Sequence, residues 1–282
     1  IRPRRPGDSY EIVGSMTAYD TPTVHGVHLL QDGPETAPPL LLIHGSGATG
    51  STWGPMVPAL AERFRVLRID LPGCGSSSTA ATYAVPDQAD RVAAVLDDLG
   101  ITKDVAVVGH SSGGYVATAL AERRPELVGP MALISTGPSM EALLPEPALV
   151  KLLTGAALGA LVWPLRTDAL LRKGIAATAA RPVTIGDEVI DDLRRTSFKT
   201  FRAIMQANRD YLVEQSIPQR LLRLGRRPLV VFGDADPRWD PESAREYDVL
   251  PGGRVEYLAG VGHIAMLEAP DETARLLLDF LG

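Results

Sequence analysis

The chain has 282 residues, of which 45% are hydrophobic and 22% are charged, and its net charge is −6. This composition is that of an ordinary folded domain and excludes a disordered chain, while the acidic balance disfavours nucleic acid as a partner. No apolar run reaches the roughly 20 residues that a membrane helix needs, so we expect no membrane partner either.

Two features bear on the compartment and the assembly. Cys74 is the single cysteine, which excludes an internal disulfide and is compatible with reducing and oxidising compartments alike. Residues 1–7 carry charge but no apolar run follows them, which differs from a signal peptide. We expect a cytoplasmic protein, and composition leaves monomer and homodimer equally open.

Short apolar runs alternate with amphipathic stretches along the chain. Runs of strand length lie at residues 10–13, 24–30, 40–43, 64–69, 105–108, 131–134, 229–232 and 255–258. Helices are predicted at residues 51–63, 86–99, 115–124 and 270–281. Strands that alternate with helices over this length predict a doubly wound, mostly parallel sheet, led by an antiparallel pair from the first two runs.

The stretch of residues 139–226 breaks this alternation. It contains no strand-like run, carries more basic than acidic residues, and spaces Leu149, Leu152, Ile204 and Tyr211 in a helical pattern. A parallel crossover needs only about a dozen residues, so the length favours an inserted helical cap over ordinary crossover helices. Residues 1–138 and 227–282 would then form the core domain.

A strand-to-helix turn holds the motif on which the functional prediction depends. Gly109, Ser111 and Gly113 fit the pattern G-x-S-x-G between a predicted strand and a predicted helix. In such a turn the serine hydroxyl projects above the sheet, and the first amides of the helix point towards it. The context favours a nucleophilic Ser111 over a structural turn of glycine and serine.

Five motifs follow one another in an order that resembles the α/β-hydrolase superfamily. They are His44-Gly-Ser-Gly47 with Trp53, Asp70 to Ser76 with Gly73 and Gly75, Gly109 to Gly113, Gly233 to Asp236, and Gly262-His263 with Glu268 and Pro270. The match covers nearly the whole chain. The resemblance implies an eight-stranded, mostly parallel sheet with a helical cap inserted after the sixth strand, where the strandless stretch falls.

A serine hydroxyl needs a general base, and histidine is the commonest one. The chain has five histidines. His25 and His28 lie in an early strand, and His44 lies in the turn that resembles the family's oxyanion loop, where its role is structural. His110 is adjacent to the serine, so its side chain should diverge, which leaves His263 as the predicted base.

The orienting carboxylate should lie between the nucleophile and the histidine in chain order. The loop after the sixth predicted strand contains no carboxylate, whereas residues 233–237 contain two. Asp236 matches the family's G-x-x-D spacing and is the predicted orienter. Asp234 is the alternative, although it suits turn formation better, and Asp240 is a weaker alternative.

The predicted oxyanion hole consists of two main-chain amides. The amide of Ser112 comes with the G-x-S-x-G turn, and the resemblance assigns the second to Ser46. Side-chain substitutions at these serines leave the amides in place, so we expect much milder losses than at Ser111. Cys74 is predicted to be a buried small residue, and no His and Cys cluster has metal-ligand spacing, so we expect no metal and no cofactor.

The substrate is less constrained than the mechanism. We predict an acyl-enzyme reaction on a small-molecule ester, lactone or thioester, with Trp53, Trp163 and Tyr211 as candidates to line its pocket, although large apolar residues usually pack the core. A C–C bond hydrolase or a peptidase would use the same triad. A pathway cyclase or a ligand-binding protein would use the pocket without net hydrolysis, whereas Ser111 argues against the epoxide hydrolases and dehalogenases, which carry Asp there.

Overall fold

A computed structural model describes residues 23–146, 151 and 155–282 of the chain, without the side chains of residues 156 and 157. The strand predicted at residues 10–13, and with it the leading antiparallel pair, lies outside the described residues. So do Leu149 and Leu152.

The described residues form one seven-stranded sheet in the order β1-β3-β2-β4-β5-β6-β7. The strands are β1 His28–Asp32, β2 Pro39–Ile43, β3 Arg65–Asp70, β4 Val105–His110, β5 Val128–Ile134, β6 Leu229–Gly233 and β7 Arg254–Leu258. All pairs are parallel except β1 with β3. The doubly wound, mostly parallel sheet is confirmed, with seven described strands where eight were expected.

The first described strand starts later than the apolar pattern predicts. The main-chain groups of Val24 and Val27 are hydrogen-bonded to each other across His25 and Gly26, whose φ angles are 52° and 76°. This tight turn uses the residues that the pattern assigned to the strand, so β1 begins at His28.

Helices cover both faces of the sheet, and a run of them separates β5 from β6 in the chain. They are α1 Val57–Leu60, α2 Val85–Asp98, α3 Gly113–Arg123, α4 Ala156–Val162, α5 Asp168–Ala176, α6 Asp187–Arg195, α7 Phe198–Glu214, α8 Ile217–Arg223, α9 Ala265–Glu268 and α10 Pro270–Leu281. Shorter 3-10 helices span Gly50–Met56, Trp163–Leu165 and Pro241–Val249. The helix predicted at residues 51–63 is thus a 3-10 helix followed by one α-helical turn, because in an α-helix the Pro55 ring would clash with the carbonyl four residues earlier.

The two faces of the sheet build two hydrophobic clusters. Along β2, Leu41 and Ile43 join the cluster under α2 and α3, while Leu40 and Leu42 join the one against α10. This alternation is the period of a strand. Because both faces are covered, the central strands are continuous apolar runs.

The described part of residues 139–226 contains helices and no strand of the sheet. Ile185, Val189 and Ile190 form a small hydrophobic cluster of their own, whereas Ile217 and Leu221 belong to the larger cluster of the core. The boundary between core and cap domains stays a prediction. No helix of the described ranges combines the length and apolar character needed to cross a membrane.

Candidate active site

The turn between β4 and α3 holds Ser111 in a left-handed conformation, with φ of 51°. Its amide donates to Ile134 O at 2.8 Å and its carbonyl accepts from Thr136 Oγ1 at 3.1 Å, so β5 and the loop after it fix the strained residue. A Cβ on Gly113 would lie 2.2 Å from Ile43 O. The turn therefore depends on glycine at that position, because the helix must approach the end of β2 closely.

Ser111, His263 and Asp236 form one hydrogen-bonded chain. His263 Nε2 lies 3.1 Å from Ser111 Oγ, and His263 Nδ1 lies 2.8 Å from Asp236 Oδ2. The carboxylate accepts a hydrogen bond from Nδ1–H, which leaves the Nε2 lone pair directed at the serine hydroxyl. The structure brings together the three side chains that the sequence nominated for the triad.

Asp236 is fixed by the main chain of its own loop. Its Oδ1 accepts from the amides of Arg238 at 2.8 Å and Trp239 at 3.2 Å, and the side chain is fully buried. Asp234 instead accepts from Gly260 N at 2.6 Å and is exposed, and Asp240 caps a 3-10 helix. The two alternative carboxylates thus accept hydrogen bonds from main-chain amides rather than from His263.

A buried carboxylate holds the loop that carries His263. Glu268 accepts hydrogen bonds from four main-chain amides at 2.8 to 3.1 Å, those of Gly262, Ile264, Ala180 and Arg181. Two of these amides flank the histidine and two belong to the segment before α6. The sequence placed Glu268 in a motif but assigned it no role, because its donors lie up to 88 residues away.

The other buried histidines near the site form hydrogen bonds with main-chain groups. His44 Nδ1 donates to Gly45 O at 2.8 Å and its Nε2 accepts from Leu71 N at 2.8 Å, and burial lowers its pKa. His110 Nε2 donates to His263 O at 2.9 Å, away from the serine. Burial, reinforced by His263, lowers the pKa of His110 to about 3, so both rings are neutral at pH 7.

The loop that carries Ser46 lies against the nucleophile. A Cβ on Gly45 would stand 3.0 Å from Ser111 Cβ, which leaves no space between the two segments. Within the described ranges, neither the Ser46 nor the Ser112 amide has a hydrogen-bond acceptor. Two free amides beside a serine hydroxyl are the arrangement expected of an oxyanion hole, and that role stays a prediction.

Side chains of α6 and α7 reach the same loop. Asn208 Nδ2 of α7 donates to Ser46 Oγ at 2.8 Å. Asp192 of α6 accepts from Thr49 Oγ1 at 2.9 Å and Ser51 Oγ at 2.8 Å, and burial raises its pKa. No sequence motif marked Asn208 or Asp192, since their partners lie more than 140 residues earlier.

The three aromatic candidates for substrate contact occupy different places. Trp53 is fully buried in the cluster against α10, and its ring lies edge-on to His110 at 6.4 Å. Trp163 stacks with Phe201 at 4.9 Å, and Phe201 in turn lies 3.5 Å from the Cβ position of Gly47. Trp163 therefore belongs to an aromatic group above the Ser46 loop.

Tyr211 joins α7 to α3. Its hydroxyl donates to Glu122 Oε2 at 2.8 Å, and the Arg220 guanidinium lies 3.8 Å above its ring. It also borders a cleft of about 880 Å³ between residues 79–86 and α7. Ser111, Asp236 and His263 do not line this cleft, so whether it receives part of a substrate stays a prediction.

The single cysteine is buried beside the site. Burial, together with the charge of Asp70, raises the pKa of Cys74 to about 12. A thiol that stays protonated is a poor nucleophile and a poor metal ligand. The described residues contain no group of three or more His, Cys, Asp and Glu side chains arranged to hold a metal ion.

Comparison with known proteins shows which family this fold belongs to. The model of the alpha/beta hydrolase family matches residues 40–276. The chain is 28% identical to the pimeloyl-[acyl-carrier protein] methyl ester esterase of Aeromonas hydrophila, over 87% of this chain and 96% of the esterase. It is 32% identical to the 2-hydroxy-6-oxononadienedioate/2-hydroxy-6-oxononatrienedioate hydrolase of Paraburkholderia phymatum, over 89% of this chain and 88% of that hydrolase.

A longer relative and a solved structure extend the comparison. The chain is 30% identical, over 88% of its residues, to the dihydrolipoyllysine-residue acetyltransferase component of the Pseudomonas putida acetoin cleaving system, of which it spans 65%. It superposes with a TM-score of 0.73 and 29% identity on a membrane phospholipase A described as a bacterial virulence factor, covering 90% of this chain and 82% of that one. The chain belongs to the alpha/beta hydrolase family.

Proposed function

We propose that the chain is a serine hydrolase that cleaves a small-molecule ester, lactone or thioester through an acyl-enzyme. One observation carries this proposal: the continuous hydrogen-bonded chain from Asp236 through His263 to Ser111, with Ser111 strained at a strand-to-helix turn. Nucleophile, base and orienting carboxylate are then within proton-transfer distance before substrate binds.

The first half-reaction forms the acyl-enzyme. Ser111 Oγ gives its proton to His263 Nε2 and bonds to the substrate carbonyl carbon, and the carbonyl oxygen becomes an oxyanion. The amides of Ser46 and Ser112 donate to that oxyanion, while Asp236 remains ionised and stabilises the imidazolium. The imidazolium then protonates the leaving alcohol or thiol, and the bond to the leaving group breaks.

The second half-reaction releases the acid. Water gives a proton to His263 Nε2 and attacks the acyl carbon, and a second oxyanion forms in the same place. The bond to Ser111 Oγ breaks, and the serine regains its proton from the imidazolium. These steps need no metal and no cofactor.

The enclosure of the site favours a small substrate. The nucleophile is 7% exposed and the histidine 5% exposed, so a folded polypeptide does not reach them. This supports an ester, lactone or thioester over a protein substrate. The Aeromonas relative is named as a methyl ester esterase, which supports the ester chemistry of the proposal.

The proposal predicts turnover of p-nitrophenyl acetate with a burst of p-nitrophenolate of about one equivalent per chain. A burst arises because acyl transfer precedes the slower hydrolysis of the acyl-enzyme. Ser111→Ala should abolish the burst and lower kcat by about 10⁶-fold, as followed by stopped-flow absorbance. A wild-type protein without turnover, or a Ser111→Ala variant with full activity, would contradict the proposal.

A further inference from the structure

A chain of three polar side chains links the cap to the segment that carries the nucleophile. Asn208 Nδ2 donates to Ser46 Oγ at 2.8 Å, and Ser46 Oγ lies 2.8 Å from Ser112 Oγ. Asn208 is 7% exposed, Ser112 is 6% exposed and Ser46 between them is half-buried, so water has limited access to these contacts. We call this chain of side chains the clasp.

The clasp has one fixed donor, the Asn208 amide, which occupies one lone pair of Ser46 Oγ. The Ser46 hydroxyl keeps one hydrogen and a second lone pair for its hydrogen bond with Ser112 Oγ, in which either hydroxyl can donate. Three groups from α7, the loop after β2 and the start of α3 are thereby linked. Such linked hydrogen bonds polarise one another in a buried site.

The clasp joins the two residues whose amides are the proposed oxyanion donors. Those donors must lie within about 2.7–3.1 Å of the oxyanion to act. The amides belong to separate segments, the loop after β2 and the start of α3, and a hydroxyl bridge between the two side chains fixes their separation. Asn208 is the group that orients this bridge.

We infer that Asn208 is a positioning residue which sets the oxyanion hole through the hydroxyls of Ser46 and Ser112. The inference rests on the proposed function and extends it to the cap, which then contributes to the chemistry as well as to the pocket. A displacement of about 1 Å in a catalytic group costs about 10²-fold. Loss of the clasp shifts one of the two oxyanion donors, so we expect kcat to fall about tenfold.

The cap stays docked without this residue. Asp192 is hydrogen-bonded to Thr49 and Ser51, and Tyr211 is hydrogen-bonded to Glu122. These contacts do not involve Asn208. Ile204 and Leu212 on α7 are also buried. An Asn208 variant should therefore fold, and its thermal unfolding temperature should confirm this before kinetics are measured.

The first experiment compares Asn208→Ala and Asn208→Asp with the wild type on p-nitrophenyl acetate. We expect kcat to fall about tenfold in Asn208→Ala while KM changes less than twofold, because an oxyanion forms only in the transition state. Asn208→Asp should fall further, since a carboxylate cannot donate to Ser46 and repels the oxyanion. Arg209→Ala, on the exposed face of the same helix, should match the wild type.

A double-mutant cycle tests the route through Ser46. If Asn208 acts through that hydroxyl, Ser46→Ala and Asn208→Ala should each lose about tenfold, and the double variant should lose no more than the larger single loss. Inhibition by a trifluoromethyl ketone, whose hemiketal carries an oxyanion, should weaken by the same factor as kcat. Additive losses, a loss confined to KM, or wild-type kcat in Asn208→Ala would overturn the inference.

The Ser111→Ala variant distinguishes a failure of the positioning role from a failure of the proposed function. Wild-type turnover that depends on Ser111 but not on Asn208 defeats only the positioning role. Turnover that survives in Ser111→Ala defeats the proposed function and, with it, the role of the clasp.

Discussion

Ser111 holds a conformation that residues other than glycine adopt at a cost of about 1–2 kcal/mol. The surrounding hydrogen bonds to Ile134 and Thr136 compensate for this strain, and Gly113 gives the backbone room to turn. The strain is useful because it presents Oγ to His263 at 3.1 Å. A relaxed serine in the helix would point elsewhere.

Asp236→Asn tests the orienting carboxylate. An amide in this position stabilises the wrong histidine tautomer, so we expect kcat to fall by about 10⁴-fold while the fold is retained. Asp234→Asn is the matched control, because Asp234 is exposed and accepts a hydrogen bond from the amide of Gly260 rather than from His263. Steady-state kinetics that rank the two substitutions the other way round would reassign the acid to Asp234.

At this scale the sequence predicted the members of the hydrogen-bonded chain but missed their supports. Ser111, Asp236 and His263 lie in short motifs whose spacing is local. Asn208 acts through a partner that only the folded chain brings near, and two of the four hydrogen bonds to Glu268 are of the same kind. Glu268 lies in the motif of Gly262 and His263, but that motif does not give its role, and no motif marks Asn208.

The β4–α3 turn is the element on which the site depends, and Gly113→Ala tests its geometry. The added Cβ would meet the carbonyls of Ile43 and His44 at 2.2 and 2.6 Å. Main-chain atoms of a central strand have little freedom to move, so we expect a loss of about 1–3 kcal/mol or more in the free energy of unfolding.

Gly174→Ala, in the interior of α5, is the matched control for that substitution. A Cβ there meets nothing within 4 Å, so a helical alanine should leave stability unchanged or raise it by up to about 1 kcal/mol. Urea titration of both variants measures the difference. Equal stability of Gly113→Ala and the wild type would mean that the turn is less tightly packed than its contacts indicate.

Elements with a strong apolar period were predicted well, and those shaped by turns were not. The closing helix was predicted at residues 270–281 and is Pro270–Leu281, because Pro270 marks its start and its apolar stripe faces the sheet. The 3-10 helix Gly50–Met56 and the late start of β1 depend instead on Pro55 and on the left-handed His25 and Gly26. The spacing of apolar residues does not predict such backbone conformations.

At the scale of the whole molecule, buried neutral histidines should make stability depend on pH. The pKa of His110 is about 3 when folded, and that of His44 is lowered too, against about 6.5 in an unfolded chain. Between these values the unfolded state binds more protons, so the free energy of unfolding falls as pH falls from about 6.5 towards 3. Each histidine contributes up to about 1.4 kcal/mol per pH unit.

His110→Gln isolates this effect. Glutamine can still donate to His263 O but does not titrate, so the slope of unfolding free energy between pH 6.5 and 4.5 should decrease. Asp192 has a raised pKa and acts in the opposite sense, yet it is common to both proteins. Denaturant titrations at several pH values measure both slopes, and identical slopes would show that His110 is not the titrating group.

The central claim is that Ser111 is the nucleophile, and covalent labelling tests it most directly. Incubation with a fluorophosphonate, followed by intact-mass measurement and peptide mapping, should give one adduct per chain on Ser111. Ser112→Ala should still react, because its amide remains, whereas Ser111→Ala should not. An unlabelled wild-type protein, an adduct on another serine, or labelling of Ser111→Ala at the wild-type rate would contradict the account.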